Sequence, residues 1–248
     1  MIRAILVAAV LLGAWELYCR LSGIDPLVLP APHQVVAALW NDRSLLASDL
    51  LSTAGEVAAG LAAALLFALL AAISIHLSRT MRRSLYPVLV ASQTLPIPVV
   101  ASLLVVWLGY DLGPKVAIIA LVAFFPVVVA TLGALAKTDP ELPRLVRALG
   151  AGRARTFWLV EAPAAIPGAF DGLRIAVVLS VIGAVFAEQA GSESGLGHTI
   201  QQALPQLLMS RAYAAVIVLS ALALALFGLI GLIERLLVPW ARVQGSQL

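Results

Sequence analysis

The chain has 248 residues, of which 62% are hydrophobic and 12% are charged, and its mean hydropathy is +1.02. These values exclude a soluble globular domain, and apolar runs long enough to cross a bilayer leave no room for a separate soluble catalytic domain. The formal net charge of +3 is small and gives no indication of nucleic-acid binding. We therefore expect one integral membrane domain over residues 1–248. The single cysteine, Cys19, can form no internal disulfide and has no companion for a metal cluster.

The first apolar run, residues 1–19, has the general pattern of a secretory signal peptide. No small-x-small cleavage site follows it before Arg20, and further apolar runs come later, so we interpret it as a retained first span. Residues 21–53 form the first sizeable polar interval. Within it Pro32 is placed to begin a short helix along the membrane interface, with Trp40 among the headgroups.

Five further apolar stretches predict membrane spans, which makes six in all. The third is expected to be kinked or unwound around residues 93–96, because Pro87, Pro96 and Pro98 interrupt it. An outer loop is expected between the fifth and sixth spans, over residues 188–211. The second to sixth spans are predicted over residues 54–77, 85–110, 116–136, 167–187 and 212–233.

Lysine and arginine residues are distributed unequally between the two sides that these spans define. One side carries twelve of them: Arg3, Arg79, Arg82, Arg83, Lys137, Arg144, Arg147, Arg153, Arg155, Arg174, Arg235 and Arg242. The other side carries four: Arg20, Arg43, Lys115 and Arg211. By the positive-inside rule, both termini and the loop 137–167 are expected in the cytoplasm. Asp171 and Arg174, about one helical turn apart in the fifth span, are expected to form an ion pair at its cytoplasmic end.

Residues 139–168 are polar between two long hydrophobic segments and contain a short amphipathic pattern. The apolar residues Leu142, Leu145, Val146 and Leu149 recur at helical spacing, and Arg144 and Arg147 lie off their face. Asp139, Pro140 or Glu141 is placed to begin such a helix, and Gly150 to end it in a left-handed C-cap. Taken alone, the pattern is more typical of an amphipathic segment that lies on anionic lipid.

The loop also resembles the cytoplasmic EAA signature of permease subunits of bacterial ABC importers, Glu-Ala-Ala-x3-Gly-x9-Ile-x-Leu-Pro. Aligned on Gly150, the chain has Val160 for the isoleucine and Ala162-Pro163 for the closing Leu-Pro, so the spacing from glycine to proline is kept. The Glu-Ala-Ala is replaced by Arg144-Leu145-Val146. Four other segments also resemble this family, and the likeness extends from about residue 27 onward: DPEL, RALGAGR, GLRIAVVLSVIGAVFAE and GSESGLG.

The resemblance implies an all-α polytopic membrane protein with the fold of type I ABC importer permeases and about six transmembrane helices. It implies that two permease chains, expected here as a homodimer, pair around a central path in the lipid bilayer. Separate ATP-binding cassette ATPase subunits would dock on the cytoplasmic loops, and a periplasmic or lipid-anchored solute-binding protein would deliver substrate. No cofactor is expected. The group it resembles serves aliphatic sulfonates, taurine, nitrate and thiamine-precursor pyrimidines, and GAVFAEQAGSESGLG is most similar to the pyrimidine-precursor and riboflavin-like branch.

The loop 137–167 is accordingly interpreted as the element that couples the permease to the ATPase. The chain has no G-x-x-x-x-G-K-[ST] motif, so it does not hydrolyse ATP by itself. The residues expected to take part in coupling are Asp139, Glu141, Leu142, Arg144, Leu145, Val146, Arg147, Leu149, Gly150, Arg153, Val160 and Pro163. The arginines, Arg155 included, have either acidic groups of the ATPase or anionic lipid as expected partners.

A path for a solute needs polar groups at membrane depth, and the chain has few of them. The candidates are Gln93 and Thr94 in the third span, Ser180 in the fifth, and Glu188 at the outer end of the fifth. Alternatively, the serine hydroxyls, including Ser92 and Ser102, bond back to their own helices and Glu188 is solvated at the interface. Two other classes of protein also remain open at this point: a secondary carrier that works without an ATPase, and a membrane-embedded scaffold or enzyme.

Overall fold

The computed structural model describes residues 2–240 of the chain, and side chains from residue 6 onward. Arg242 and the side chain of Arg3, both used above for the orientation, lie outside the described residues. This part of the chain folds into eleven α-helices and one π-helical turn, Phe157–Glu161. The helices are α1 (Ile2–Ser22), α2 (Pro32–Asn41), α3 (Arg43–Leu77), α4 (Arg79–Ser92), α5 (Ile97–Leu108), α6 (Leu112–Ala136), α7 (Glu141–Ala148), α8 (Arg153–Thr156), α9 (Ala162–Gly191), α10 (Leu196–Ala203) and α11 (Met209–Leu237).

The centre of the fold is the packing of α6 against α9 on one side and α3 on the other. Small residues make this close approach possible, because helices in a membrane associate mainly by van der Waals packing. A Cβ atom added at Gly172 of α9 would lie 2.8 Å from the carbonyl oxygen of Pro126 and 2.9 Å from Cα of Val127, both in α6. Ala64, Ala68 and Ala72 of α3 are likewise fully buried against α6. This contact gives α6 and α9 a fixed relative position.

Four helical segments are long and apolar enough to cross a membrane: Arg43–Leu77, Leu112–Ala136, Arg153–Gly191 and Met209–Leu237. A fifth is present when α4 and α5 are counted together as one bent span. The α1 helix covers the expected first span but is not among these candidates, so the count of six stays a prediction.

The third expected span is broken more sharply than a kink. The axes of α4 and α5 differ by 100° across residues 93–96. Pro96 is the N-cap of α5, and Pro98 lies in its first turn, where a missing N–H costs no hydrogen bond. The two helices have 14 and 12 residues. At about 1.5 Å per residue, neither spans a hydrocarbon core of about 30 Å alone.

Several expected boundaries differ from the observed ones. The fifth span begins well before residue 167, because Pro163 occupies the first turn of α9 and the π-helical turn continues it back to α8. The expected ion pair of Asp171 with Arg174 is wrong. The Arg174 guanidinium pairs with the Glu234 carboxylate of α11 at 2.5 Å. This pair connects α9 to α11, whereas the expected pair would lie within α9 alone. The outer loop after α9 contains a helix of its own, α10.

Candidate functional site

The amphipathic segment of the polar loop forms α7, as the sequence predicts. Its N-cap is Pro140, and the carboxylate of Asp139 just before it accepts a hydrogen bond from the Glu141 backbone N–H at 2.9 Å. Its end is a Schellman motif, in which the Ala151 N–H donates to Val146 O at 3.2 Å and the Gly150 N–H to Arg147 O at 3.0 Å. Gly150 has φ +93°, which confirms the expected left-handed C-cap.

The apolar face of α7 is exposed to solvent in this chain. Leu142, Leu145 and Leu149 are 49%, 58% and 79% exposed, whereas Pro143 on the other side of the helix is buried. A helix of eight residues is far below the length that is stable alone in water, roughly 12–15 residues. The exposed leucines are therefore an unoccupied contact surface on a short helix that packs on the rest of the chain through its other side.

Three of the loop arginines already bond to this chain. Arg144 pairs with Glu141 at 2.6 Å on the exposed surface, and the Arg147 Nε donates to Pro143 O at 3.1 Å. The Arg153 Nη2 donates to Leu77 O at 2.5 Å, which links the start of α8 to the end of α3. Arg155 is exposed on α8.

The closing part of the signature is built into the long helix that follows. Val160 lies in the π-helical turn, and Pro163 lies in the first turn of α9. The same turn holds two side chains that the sequence did not single out. Phe157 is buried, and the Glu161 carboxylate accepts a hydrogen bond from the His76 ring at 2.8 Å. Coupling loop and α3 are therefore connected twice, through Arg153 and through Glu161.

The path candidates Gln93 and Thr94 lie at the break between α4 and α5 and are exposed. The Thr94 hydroxyl donates to Ala91 O at 2.8 Å, while the Gln93 amide donates to the Ser92 hydroxyl at 3.3 Å. Both residues therefore present polar groups beside backbone that is not helical.

The serine hydroxyls follow the alternative interpretation. Ser92, Ser102 and Ser180 donate to the carbonyl oxygens of Leu89, Pro98 and Val177, at 2.7, 3.0 and 2.7 Å. Ser180 is completely buried. Its hydroxyl is thus satisfied within α9 and does not face an open space in this conformation.

Glu188 is not solvated at the interface, which corrects that alternative. It is 1% exposed and accepts three hydrogen bonds. The Thr53 hydroxyl donates to Oε1 at 2.6 Å, and the backbone N–H groups of Gly197 and His198 donate to Oε2 at 2.5 and 3.4 Å. Among the described residues, the four path candidates form no hydrogen bond with one another.

Glu188 belongs to a buried polar cluster that the sequence did not predict. Asp49 accepts hydrogen bonds from the Gly195 N–H at 3.1 Å and from the Thr199 hydroxyl. The Leu196 N–H donates to the Thr53 hydroxyl at 2.9 Å. Together these bonds fix the loop 192–199 to the first half of α3. Spacing in the sequence gives no signal for it, since Asp49 and Thr199 are 150 residues apart.

A buried ion pair extends the cluster to α6. The Lys115 ammonium group lies 2.5 Å from Glu56 Oε1 and 2.6 Å from the Ser192 hydroxyl. Lys115 and Glu56 are 7% and 4% exposed. The second oxygen of Glu56 has no hydrogen-bond partner among the described residues, so Lys115 is its main compensation.

Comparison with known proteins gives one family. The family described as "Binding-protein-dependent transport system inner membrane component" matches residues 64–242. The chain is 34% identical to the formylaminopyrimidine transport permease protein ThiX of Halalkalibacterium halodurans, over 94% of both chains. It is 37% identical to the riboflavin transport system permease protein RibX of Chloroflexus aurantiacus, over 93% of this chain and 87% of the relative. It is 30% identical to the taurine transport system permease protein TauC of Escherichia coli, over 94% of this chain and 87% of the relative.

The fold is similar to a solved structure described as an amino acid ABC transporter with histidines. The TM-score is 0.63 at 18% sequence identity, and the match covers 81% of this chain and 98% of the other. The carrier and scaffold alternatives are set aside by these matches, which agree with the resemblance of the polar loop. The chain therefore belongs to the binding-protein-dependent transport family, as a multi-pass inner-membrane permease that forms the non-catalytic translocation subunit of an ABC importer.

Proposed function

We propose that this permease forms a homodimer that imports a small heteroaromatic solute, driven by ATPase subunits that bind the exposed face of α7. Members of this family work with an ATPase and a solute-binding protein. The observation that carries the proposal is the exposure of Leu142, Leu145 and Leu149 on a helix that ends in a well-formed C-cap. An amphipathic helix of this kind binds by placing its apolar face in a groove of its partner.

The connections of the loop to the spans support a role in coupling. Force applied at α7 would pass to α9 through the π-helical turn, which is continuous with that span. It would also reach α3 through the bond of Arg153 with Leu77 O and through that of Glu161 with His76. The expected orientation, with both termini in the cytoplasm, places α7 on the side where ATP is available.

The wall of the path is assigned to the break between α4 and α5. Gln93 and Thr94 are exposed there, and irregular backbone at membrane depth is tolerated only where it faces protein or water. Because Gln93 and Thr94 are exposed in the single chain, a second copy would be needed to enclose a path along them. Ser180 and Glu188 belong to the same proposal as residues reached in another state of the cycle, since both are closed in this structure.

The proposed substrate class rests on the identities of the relatives. The relatives named for formylaminopyrimidine and riboflavin share 34% and 37% of aligned residues with this chain, against 30% for the one named for taurine. Pyrimidines and flavins are both nitrogen heteroaromatic rings with several hydrogen-bonding groups. We therefore assign this chain to import of such a ring compound, in preference to a sulfonate.

The coupling test compares Leu145→Asp with Ala154→Asp in the transporter reconstituted with its ATPase and binding protein. Both positions are exposed on the same loop, but only Leu145 lies on the apolar face of α7. Leu145→Asp should abolish ATPase binding and uptake, while Ala154→Asp should keep both. Equal activity of the two variants would show that α7 lies on lipid instead.

The substrate test measures ATP-dependent uptake by the same proteoliposomes. Radiolabelled formylaminopyrimidine and riboflavin are each compared with taurine. Accumulation of either ring compound, with no accumulation of taurine, is the expected result. Uptake of taurine alone would overturn the substrate assignment and leave the coupling role of α7 intact.

The path test uses single cysteines at positions 93, 94, 180 and 188 in a Cys19→Ser background. Water-soluble thiol reagents should modify the cysteines that replace Gln93 and Thr94 in the resting complex. Those that replace Ser180 and Glu188 should react only when ATP is bound or trapped. Uniform protection of all four in both states would contradict the path assignment.

A further inference from the structure

A cavity of about 1120 Å³ opens at the end of the spans that carries the coupling loop. It lies between the end of α3, the beginning of α4 and the end of α6, and Arg153 of α8 closes one side. None of the path candidates lines it. The coupling surface described above, the exposed face of α7, does not line it either.

Positive charge dominates the polar part of this cavity. Arg79, Arg82 and Arg83 of α4 line it together with Arg153 and His76, and within the described residues its lining contains no carboxylate. The guanidinium groups of Arg79, Arg82 and Arg83 make no ion pair or hydrogen bond with the part of the chain that the structure describes. The His76 ring of the lining is itself engaged, because it bonds to Glu161 at 2.8 Å.

The opposite wall of the cavity is apolar. It consists of Ile75 of α3 with Val129, Leu132 and Ala136 of α6, and Gly133 leaves a gap between them. A Cβ atom added at Gly133 would have no atom within 4 Å, so the gap is open space. A site with several guanidinium groups at one end and aliphatic side chains at the other fits a ligand with an anionic head and a hydrocarbon tail.

We propose that this cavity binds an anionic phospholipid, with its phosphate among the arginines of α4 and an acyl chain along α6. Basic pockets between transmembrane helices on the cytoplasmic side are suited to such headgroups, and the cytoplasmic leaflet is the one that carries them. The positive-inside rule places this end of the spans there. A free oxyanion would use the arginines but leave the apolar wall unfilled.

A second copy of the chain is a poorer occupant. A two-fold contact through this face would bring its arginine-lined rim close to the same rim of the partner, and like charges across an interface oppose binding. An anionic headgroup instead lowers the positive charge of the rim. The lipid would also fill a volume larger than most small-molecule sites, which are about 300–1,000 Å³.

The test is native mass spectrometry of the full-length chain in detergent, titrated with phosphatidylglycerol, with phosphatidylcholine of the same acyl chains, and with glycerol phosphate. One variant pair is Arg82→Gln with Arg83→Gln. Its control, Arg43→Gln with Lys137→Gln, removes the same charge from exposed positions outside the cavity. The cavity pair should weaken phosphatidylglycerol binding by roughly tenfold to thirtyfold, and the control pair by less than about threefold.

A second pair of variants changes no charge. Gly133→Leu fills the apolar gap, and Gly228→Leu is its control, because a Cβ atom added at Gly228 of α11 also has no atom within 4 Å. Only Gly133→Leu should lower phosphatidylglycerol binding. Both leucines replace glycine within a helix and should leave the fold intact, which circular dichroism would verify.

Three results would overturn the proposal. Equal affinity for phosphatidylglycerol and phosphatidylcholine would remove the role of the headgroup charge. Equal loss in the cavity pair and its control would reduce the effect to general surface attraction. Glycerol phosphate that binds as tightly as the lipid, with no effect of Gly133→Leu, would make the cavity a site for soluble oxyanions.

Discussion

The buried ion pair of Lys115 with Glu56 permits a quantitative prediction about the outer end of the fold. In Lys115→Met the carboxylate of Glu56, 4% exposed, loses the ammonium group at 2.5 Å, and its other oxygen has no hydrogen-bond partner among the described residues. Breaking a buried pair in this way costs about 3–5 kcal/mol, because an uncompensated charge remains inside. Ser192 also loses its contact with the ammonium group.

For a protein of this size, about 3–5 kcal/mol corresponds to a fall in melting temperature of roughly 6–20 °C. The assay is thermal unfolding of the purified permease in detergent, followed by intrinsic fluorescence. Lys137→Met is the matched control, since Lys137 is the exposed C-cap of α6 and has the same side chain. Its melting temperature should change by less than about 2 °C, in line with the small effects of most surface substitutions.

The double variant Glu56→Leu with Lys115→Met tests the cause. Replacing both members of a buried pair by apolar residues of similar volume is often neutral or stabilising. The double variant should therefore regain most of the stability that Lys115→Met loses. The reasoning is refuted if the double variant is as unstable as Lys115→Met, or if Lys115→Met and Lys137→Met melt at the same temperature.

Two further predictions concern glycines. Gly150→Val places a β-branched residue at φ +93°, which costs on the order of 1–3 kcal/mol, so membrane insertion should persist while ATPase binding and uptake fall. Gly152→Val is the control, because Gly152 has φ −69°, and this variant should retain both ATPase binding and uptake. Equal loss in the two variants would contradict the role of the C-cap. Gly172→Leu inserts a side chain where Pro126 O lies 2.8 Å from the added Cβ, and should destabilise the permease by about 1–3 kcal/mol or more in the unfolding assay. Gly228→Leu, in open space, should cost much less, and a similar loss in both would show that α6 and α9 are not closely packed there.

The buried polar cluster fixes the loop after α9 to the packed helices, whereas the sequence predicted only that a loop lies there. Leu196 is fully buried, and three backbone N–H groups of residues 195–197 bond to side chains of Asp49, Thr53 and Glu188. Polar groups buried in this way must be satisfied, and here the carboxylates of Asp49 and Glu188 accept backbone donors of the loop. The loop is consequently part of the packed domain, and its release would require several hydrogen bonds to break together.

The sequence alone determined those features that depend on local chemistry. Apolar runs long enough for a bilayer identified most of the spans, prolines identified the break around residues 93–96, and Gly150 identified the C-cap of α7. Each of these is set by the residue itself and its immediate neighbours, through hydrophobicity, a missing N–H or a left-handed φ. The EAA-like spacing identified the family in the same way.

Tertiary structure alone decided the partners of the charged residues. Spacing of about one helical turn favoured Asp171 for Arg174, but α11 packs against α9 and brings the Glu234 carboxylate within 2.5 Å. Glu188 had the position of a solvated helix end, yet α3 and the loop 192–199 enclose it. A desolvated charge bonds to whichever donor the packing of distant helices places beside it, and that choice is not encoded in the spacing of residues along one helix.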